Sequence, residues 1–402
     1  MTKDEKWFNK KMDRREFLKK AGIGGAGLAL GVSSASAFFA NQAKEDKKLA
    51  DGDEEISFYG EHQAGITTAM QKNIYFVILD LHTTDKETII QMFKDWTDYS
   101  EKLVNGELVK KDSSNALLPP TDTGETVGLN PYRLTLTFGV SASFLKKMGL
   151  ENKKPKEFRD LPPFPKEQLK EKYTGGDIVI QACADDEQVA FHAVRNLVRK
   201  ARNAVTMKWS QAGFAAIGDR MSTPRNLFGF KDGTANVTKE KDFDKVVWCD
   251  SKDWMKGGSY MAVRRIQMFL ETWDRTNLQE QENTFGRYKE SGAPFGKKNE
   301  FDEVDLDLLP VDAHVRLAKE VDKPLYRRSY SYLDGIDETT GQFDTGLLFI
   351  SFQKDPDSFI KVQTNLGAQD KMNEYITHVG SGLFACFGGV KEGEYLGQKL
   401  FE

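Results

Sequence analysis

Residues 177–198 read DIVIQACADDEQVAFHAVRNLV: an apolar run, two aspartates, then apolar residues at helical spacing. A short continuous apolar run fits a buried strand, and an Asp ahead of a periodic segment is a helix start signal. Residues 347–366, LLFISFQKDPDSFIKVQTNL, repeat the same grammar of strand, Asp-containing turn and helix. Two copies of one pattern, about half a chain apart, predict an α+β fold of two ferredoxin-like halves related by duplication.

The flanking segments agree. Asn73–Thr83 reads as a strand with Tyr75, Val77, Leu79 and Leu81 on one face, followed by a helix over Asp85–Leu103 carrying Ile89, Ile90, Phe93 and Trp96. Further strands are expected at Arg133–Phe138, Val205–Ala216 and Ser259–Leu270, and helices at Ser141–Met148 and Thr272–Phe285. The Pro-rich stretch Lys154–Lys166 is expected to form a surface loop.

The chain has 402 residues, 39% of them hydrophobic and 27 of them Phe, enough for a large core or an apolar pocket. A net charge of −4 argues against a nucleic-acid surface, which needs a basic excess. Cys183, Cys249 and Cys386 are scattered and odd in number, so they support neither a disulfide framework nor a zinc site.

The N-terminus reads as an address. Residues 12–20, MDRREFLKK, precede a weakly apolar Gly/Ala-rich stretch, Ala21–Ala37, ending in the small-x-small triplet Ala35-Ser36-Ala37. The pair Arg14-Arg15 followed by Phe17-Leu18-Lys19 resembles a twin-arginine export signal, with Asp13 where Ser or Thr is usual. That route carries folded proteins and suits a chain that takes up a cofactor before export. Residues 1–37 are therefore read as the signal, 38–56 as a flexible charged leader, 57–216 as the N-terminal half and 217–402 as the C-terminal half.

Between the repeated units lies RNLFGFKDGTAN, residues 225–236. Gly229 and Gly233 allow a tight loop that can turn Asp232 inward, and Phe228 and Phe230 make it more apolar than a solvated turn. Of the five histidines, His62, His82, His192, His314 and His378, no two are spaced as a metal pair on a helix. A single axial His is all that haem requires, and spacing alone leaves all five open.

The segment GFKDG at 229–233 resembles the GxxDG signature of the dye-decolourising (DyP-type) haem peroxidases. Four further segments agree in order: YGEHQAGI at 59–66; Gly286-Arg287 with Gly292-Ala293-Pro294; His314-Val315-Arg316 leading to Arg327-Arg328-Ser329-Tyr330-Ser331-Tyr332; and HVGSGLF at 378–384. The resemblance covers residues 57 to 400 and is strongest to an exported peroxidase/deferrochelatase branch tied to bacterial iron uptake. It implies two ferredoxin-like halves of the dimeric α+β barrel type, with haem b in the C-terminal half. It places His314 as the proximal iron ligand, Asp232 as the distal carboxylate and Arg327 or Arg328 as the distal cation. The family's spacing past its proximal His, carried over to His314, implies Arg327 rather than Arg328. Asn236, Arg328, Phe230 and Gly233 are carried over as cofactor-contacting positions. The implied partners are hydrogen peroxide and an electron donor such as a dye, a phenol or ferrous iron, with an iron-permease system and a homo-oligomer compatible with the branch.

Those residue types suit the chemistry. Breaking the O–O bond of peroxide needs a proton taken from one oxygen and returned to the other, which a carboxylate can carry. A guanidinium stays charged and stabilises anionic oxygen. An imidazole ligand is made more basic by a hydrogen bond on its far nitrogen, for which Asp302, Glu303, Asp305 and Asp307 are the candidates. A carboxylate shuttle implies an acidic optimum. The alternative activity in the branch is removal of iron from haem with the porphyrin left intact.

Overall fold

In the computed structural model, residues 54–111, 115–217 and 223–402 are described; the segment 1–37 read as a signal and nearly all of the leader lie outside them. The strands are β1 Asn73–Leu81, β2 Thr135–Val140, β3 Ile178–Ala184, β4 Val205–Phe214, β5 Ser259–Met268, β6 Tyr326–Arg327, β7 Tyr330–Ile336, β8 Phe343–Gln353 and β9 Ile376–Cys386. They pair in the order β5-β9-β2-β3-β1-β4-β7-β8, and β8 pairs back to β5, so the sheet closes into a barrel. Every pairing between these strands is antiparallel.

The two halves repeat each other. In β2-β3-β1-β4 and in β7-β8-β5-β9 the neighbours run second, third, first, fourth in chain order, which is the ferredoxin-like arrangement. Ladders inside a half are long: β5 and β9 pair from Ser259↔Cys386 to Met268↔Ile376. The seams between halves are thin, with Phe214↔Ser331 on one side and Gly139↔Cys386 and Val140↔Ala385 on the other.

Strand alternation sorts the side chains. Phe76, Ile78, Val179, Met261, Val263, Leu348, Ile350 and Phe384 are buried together in one cluster inside the barrel. Val77, Leu79 and Ile180 face the other way, toward helices α1 (Lys86–Val104) and α2 (Glu187–Lys200), and with Ala262 of β5 belong to the larger core. Asp85 caps α1 by accepting from Thr88 N, and Trp96 Nε1 donates to Leu197 O at 2.9 Å, tying α1 to α2. The cap of α2 is Asp186, accepting from Val189 N; its neighbour Asp185 instead pairs with Arg133 at 3.1 Å.

Two expectations are corrected. The Pro-rich stretch 154–166 is not simply a surface loop, because Phe158 and Phe164 insert into the core while their neighbours stay outside. The helix expected over Thr272–Phe285 is two: Leu270–Asp274 and α3 (Leu278–Phe285), divided where Asn277 caps α3 by accepting from Glu280 N. Two more helices shape the site, α4 (His314–Glu320) and α5 (Pro356–Gln369), the latter capped by Asp355 with Pro356 in its first turn.

Candidate active site

A cavity of about 560 Å³ opens beside β5 and β8, and its lining residues all fall between Asn226 and His378. That volume is in the range of small-molecule and cofactor sites, roughly 300–1,000 Å³. The wall is largely apolar: Ile266 and Met268 from β5, Leu347 and Phe349 from β8, and Phe359, Val362 and Leu366 from α5. Among the ionisable groups that line it, two pairs stand out, His314 with Asp370 and Asp232 with Arg327.

His314 stands at the start of α4, and Asp370 just past the end of α5. The ring Nδ1 lies 2.6 Å from Asp370 Oδ2. Asp370 is buried and is itself held, its Oδ1 accepting from Met372 N at 2.8 Å. Burial alone would lower the pKa of His314, but the adjacent carboxylate outweighs it and raises the value above the ordinary one; the charges of Arg327 and Asp232 also reach the ring. The 30% of the His314 side chain that remains accessible opens into the cavity. With Nδ1 committed to Asp370, Nε2 is the nitrogen left to ligate a metal. Asp370 therefore fills the role assigned by sequence to Asp302, Glu303, Asp305 or Asp307. Asp302 is engaged instead with Lys298 N and Asn299 N, and Asp305 caps the turn Leu306–Leu308.

Asp232 sits in a turn built by its glycine: Gly233 has φ +123°, a conformation that side chains other than glycine's rarely adopt. Asp232 N donates to Pro224 O at 2.8 Å, and Asn236 N to Gly233 O at 2.9 Å. Glu300 holds the same loop from outside, ion-paired with Lys231 and accepting from Thr234 Oγ1 at 2.8 Å. Burial would raise the pKa of Glu300, but Lys231 and the hydroxyls of Thr223 and Thr234 more than reverse this and keep it low. The loop delivers Asp232 Oδ1 to 3.0 Å from an Nη of Arg327.

The structure separates the two arginines. Arg327 lines the cavity; Arg328, next on an extended chain, points the opposite way and is buried against Thr68 O and Gln71 Oε1. Arg328 is thus not a cavity residue. Asn236 is not one either, because its carboxamide is spent on the backbone of Arg327. Phe230 stands behind the wall, stacked on Phe285 at 3.9 Å, and Phe285 with Phe228 forms the surface in its place. Gly233 does line the cavity. His378 also lines it and was not singled out from the sequence; burial, helped by Arg264 and His314, pulls its pKa to about 3, so the ring is neutral near pH 7.

The donor set fits a haem. An apolar slot of suitable size carries one imidazole with its far nitrogen anchored by a carboxylate, and a separate acid/guanidinium pair faces the same space. Among the described residues, one group could gather a metal ion elsewhere, Asp122, Glu125 and His192. Its atoms are already engaged: Asp122 accepts from Val109 N and Gly124 N, and Glu125 binds Arg195 and His192.

Comparison with known proteins identifies the family. The N-terminal domain of Dyp-type peroxidases matches residues 63–215 and the C-terminal domain matches residues 223–391. The chain belongs to the Dyp-type peroxidase family, whose members are haem enzymes. It is 38% identical over 371 residues to a deferrochelatase of Yersinia pestis, covering 86% of this chain and 84% of that one. It is 36% identical over 412 residues to a deferrochelatase of Escherichia coli O157:H7, covering 96% of each. Among solved structures, ferric DtpA from Streptomyces lividans superposes with a TM-score of 0.81 at 36% identity, covering 88% of this chain and 98% of that one. A DyP-type peroxidase from Streptomyces coelicolor gives 0.82 at 37%, covering 88% and 99%.

Proposed function

We propose that the chain is an exported peroxidase that reduces H₂O₂ to water at a haem held by His314, drawing two electrons from a dye, a phenol or ferrous iron. The observation that carries the assignment of roles is the 3.0 Å contact of Asp232 with Arg327 in the cavity that His314 faces. A haem held there would lend the two electrons that breaking the O–O bond requires, one from iron and one from the porphyrin or protein, and the reductant would replace them. The protein's own residues do the rest. Asp232 accepts a proton from one oxygen of the peroxide and returns it to the other, so that water leaves. Arg327, permanently cationic, stabilises negative charge on oxygen as it develops. Asp370 keeps the His314 ring oriented and its ligating nitrogen electron-rich. With haem filling the cavity, the largely apolar wall would exclude bulk water and so strengthen each of these interactions. Rapid mixing of the haem-loaded protein with H₂O₂ tests the roles: Asp232→Asn should keep haem but react more slowly by about 10²–10⁴-fold, and a wild-type rate would refute the assignment.

The names of the relatives favour a second reading, in which the same cavity releases iron from haem and leaves the porphyrin intact. Incubation of haem-loaded protein without peroxide separates the two, since only this reading yields free protoporphyrin. Export by the twin-arginine route rests on Arg14-Arg15 and on the need to fold around a cofactor first. An iron-permease system at the membrane is the partner that such an exported iron-handling enzyme suits.

A further inference from the structure

We infer that Asn236 is a positioning residue that fixes the separation of Asp232 and Arg327; the inference rests on the reading of that pair given above. Asn236 Nδ2 donates to Arg327 O at 2.6 Å, and Asn236 Oδ1 accepts from Arg327 N at 2.9 Å. These are the two bonds a neighbouring strand would make, supplied here by one side chain 91 residues away in sequence. The other edge of β6 is already paired, Arg327 opposite Ser351 on β8. The backbone from which the Arg327 side chain springs is therefore gripped from both sides.

The same asparagine ends the turn that carries Asp232. Its N–H closes that turn on Gly233 O, and Asp232 N is pinned to Pro224 O. Asp232, the turn, Asn236, the Arg327 backbone and the guanidinium thus form a closed circuit, completed by the 3.0 Å ion pair. The ion pair could not set its own geometry. Its side chains are 19% and 25% exposed, and a pair with that access to solvent contributes about 1 kcal/mol or less. Glu300 restrains the loop through Lys231 and Thr234 but makes no bond to β6. Residue chemistry narrows the choice at 236. Asn offers one donor and one acceptor at this reach; Asp has no donor, Ser has a single oxygen, and Gln is longer by a methylene.

The test compares Asn236→Ala, Asn236→Asp, Asp232→Asn and Arg327→Leu, with Asn236→Ala also placed in the Arg327→Leu background. All are loaded with haem and checked for haem content, absorbance spectrum and thermal unfolding. A misplacement of about 1 Å can cost on the order of 100-fold in rate, so Asn236→Ala should react with H₂O₂ about 10- to 100-fold more slowly while keeping its haem. Asn236→Asp, which retains the acceptor half, should fall between. In the Arg327→Leu background the same change should add less than about threefold, because Asn236 acts through Arg327. A crystal structure of Asn236→Ala should show the Asp232–Arg327 contact lengthened. If Asn236→Ala is too unstable to load, Asn236→Asp carries the same comparisons. The inference is overturned if Asp232→Asn is slow and Asn236→Ala is not, or if Asn236→Ala is equally costly with and without Arg327. Should Asp232→Asn react at the wild-type rate, the reading of the pair fails, and the inference is decided by the crystal structure alone: an unchanged contact rejects it.

Discussion

Asp370 Oδ2 lies 2.6 Å from His314 Nδ1, so the end of one helix anchors the imidazole that begins another. The contact orients the ring and leaves Nε2 for iron. Loss of a carboxylate behind a ligating histidine typically costs 10- to 100-fold in metal affinity or activity. Asp370→Ala should weaken haem retention by about that factor, read by haem transfer to apomyoglobin, and Asp370→Asn should lose less. Equal retention in wild type and Asp370→Ala would show that the contact is incidental.

Arg327 and Arg328 should part company under mutation. Arg327→Leu should slow the reaction with peroxide by about 100-fold or more with little change in stability, because it removes charge stabilisation at the cavity. Arg328→Ala should do the reverse, lowering the unfolding free energy by about 2–4 kcal/mol through an interior void and the orphaned acceptors of Thr68 and Gln71. Stopped-flow rates beside denaturant unfolding of both variants check this, and a reversal of the two phenotypes would reject the separation.

Acid stability should depend on Glu125. Partial burial tends to raise its pKa, but the Thr123 hydroxyl, Arg195 and His192 hold it near 2, down from an ordinary 4.5. A carboxyl lower in the folded than the unfolded state contributes stability that is full above the unfolded pKa. That contribution is lost as pH falls from about 4.5 toward about 2. Glu125→Gln should therefore be less stable than wild type at neutral pH, with the difference shrinking across that window. Thermal unfolding at stepped pH measures it; a gap that is constant with pH would exclude the linkage.

Export should depend on Arg14 and Arg15. Replacing both with Lys should retain the full-length chain in the cytoplasm, haem-loaded, as judged by fractionation and immunoblotting. Unchanged export of the double variant would assign the segment to another route.

Much of this was legible in the sequence, and the failures have physical causes. The strand-helix grammar at 177–198 and 347–366 carried the ferredoxin-like halves, because buried strands and capped helices write strong local signals. The closure of β8 onto β5 had no local signature, since pairing partners lie far apart in sequence. Strand alternation guarantees that only one of Arg327 and Arg328 can face the cavity, but which one depends on the register of β6 against β8. Asp370 was missed for a related reason. The candidates chosen were near His314 in the chain, whereas the residue that meets it comes 56 positions later at the end of a helix packed beside it. Asn236 was placed in the right loop with the wrong task, because proximity to Asp232 says nothing about which backbone its carboxamide meets.

The central claim is that His314 binds the haem iron, and absorbance spectroscopy of haem-titrated protein addresses it directly. Wild type should take up one haem per chain with the Soret and visible bands of a histidine-ligated ferric haem. His314→Ala, folded to the same thermal midpoint, should lose haem or shift those bands, with imidazole in the buffer restoring them. A spectrum of His314→Ala indistinguishable from wild type would contradict the account.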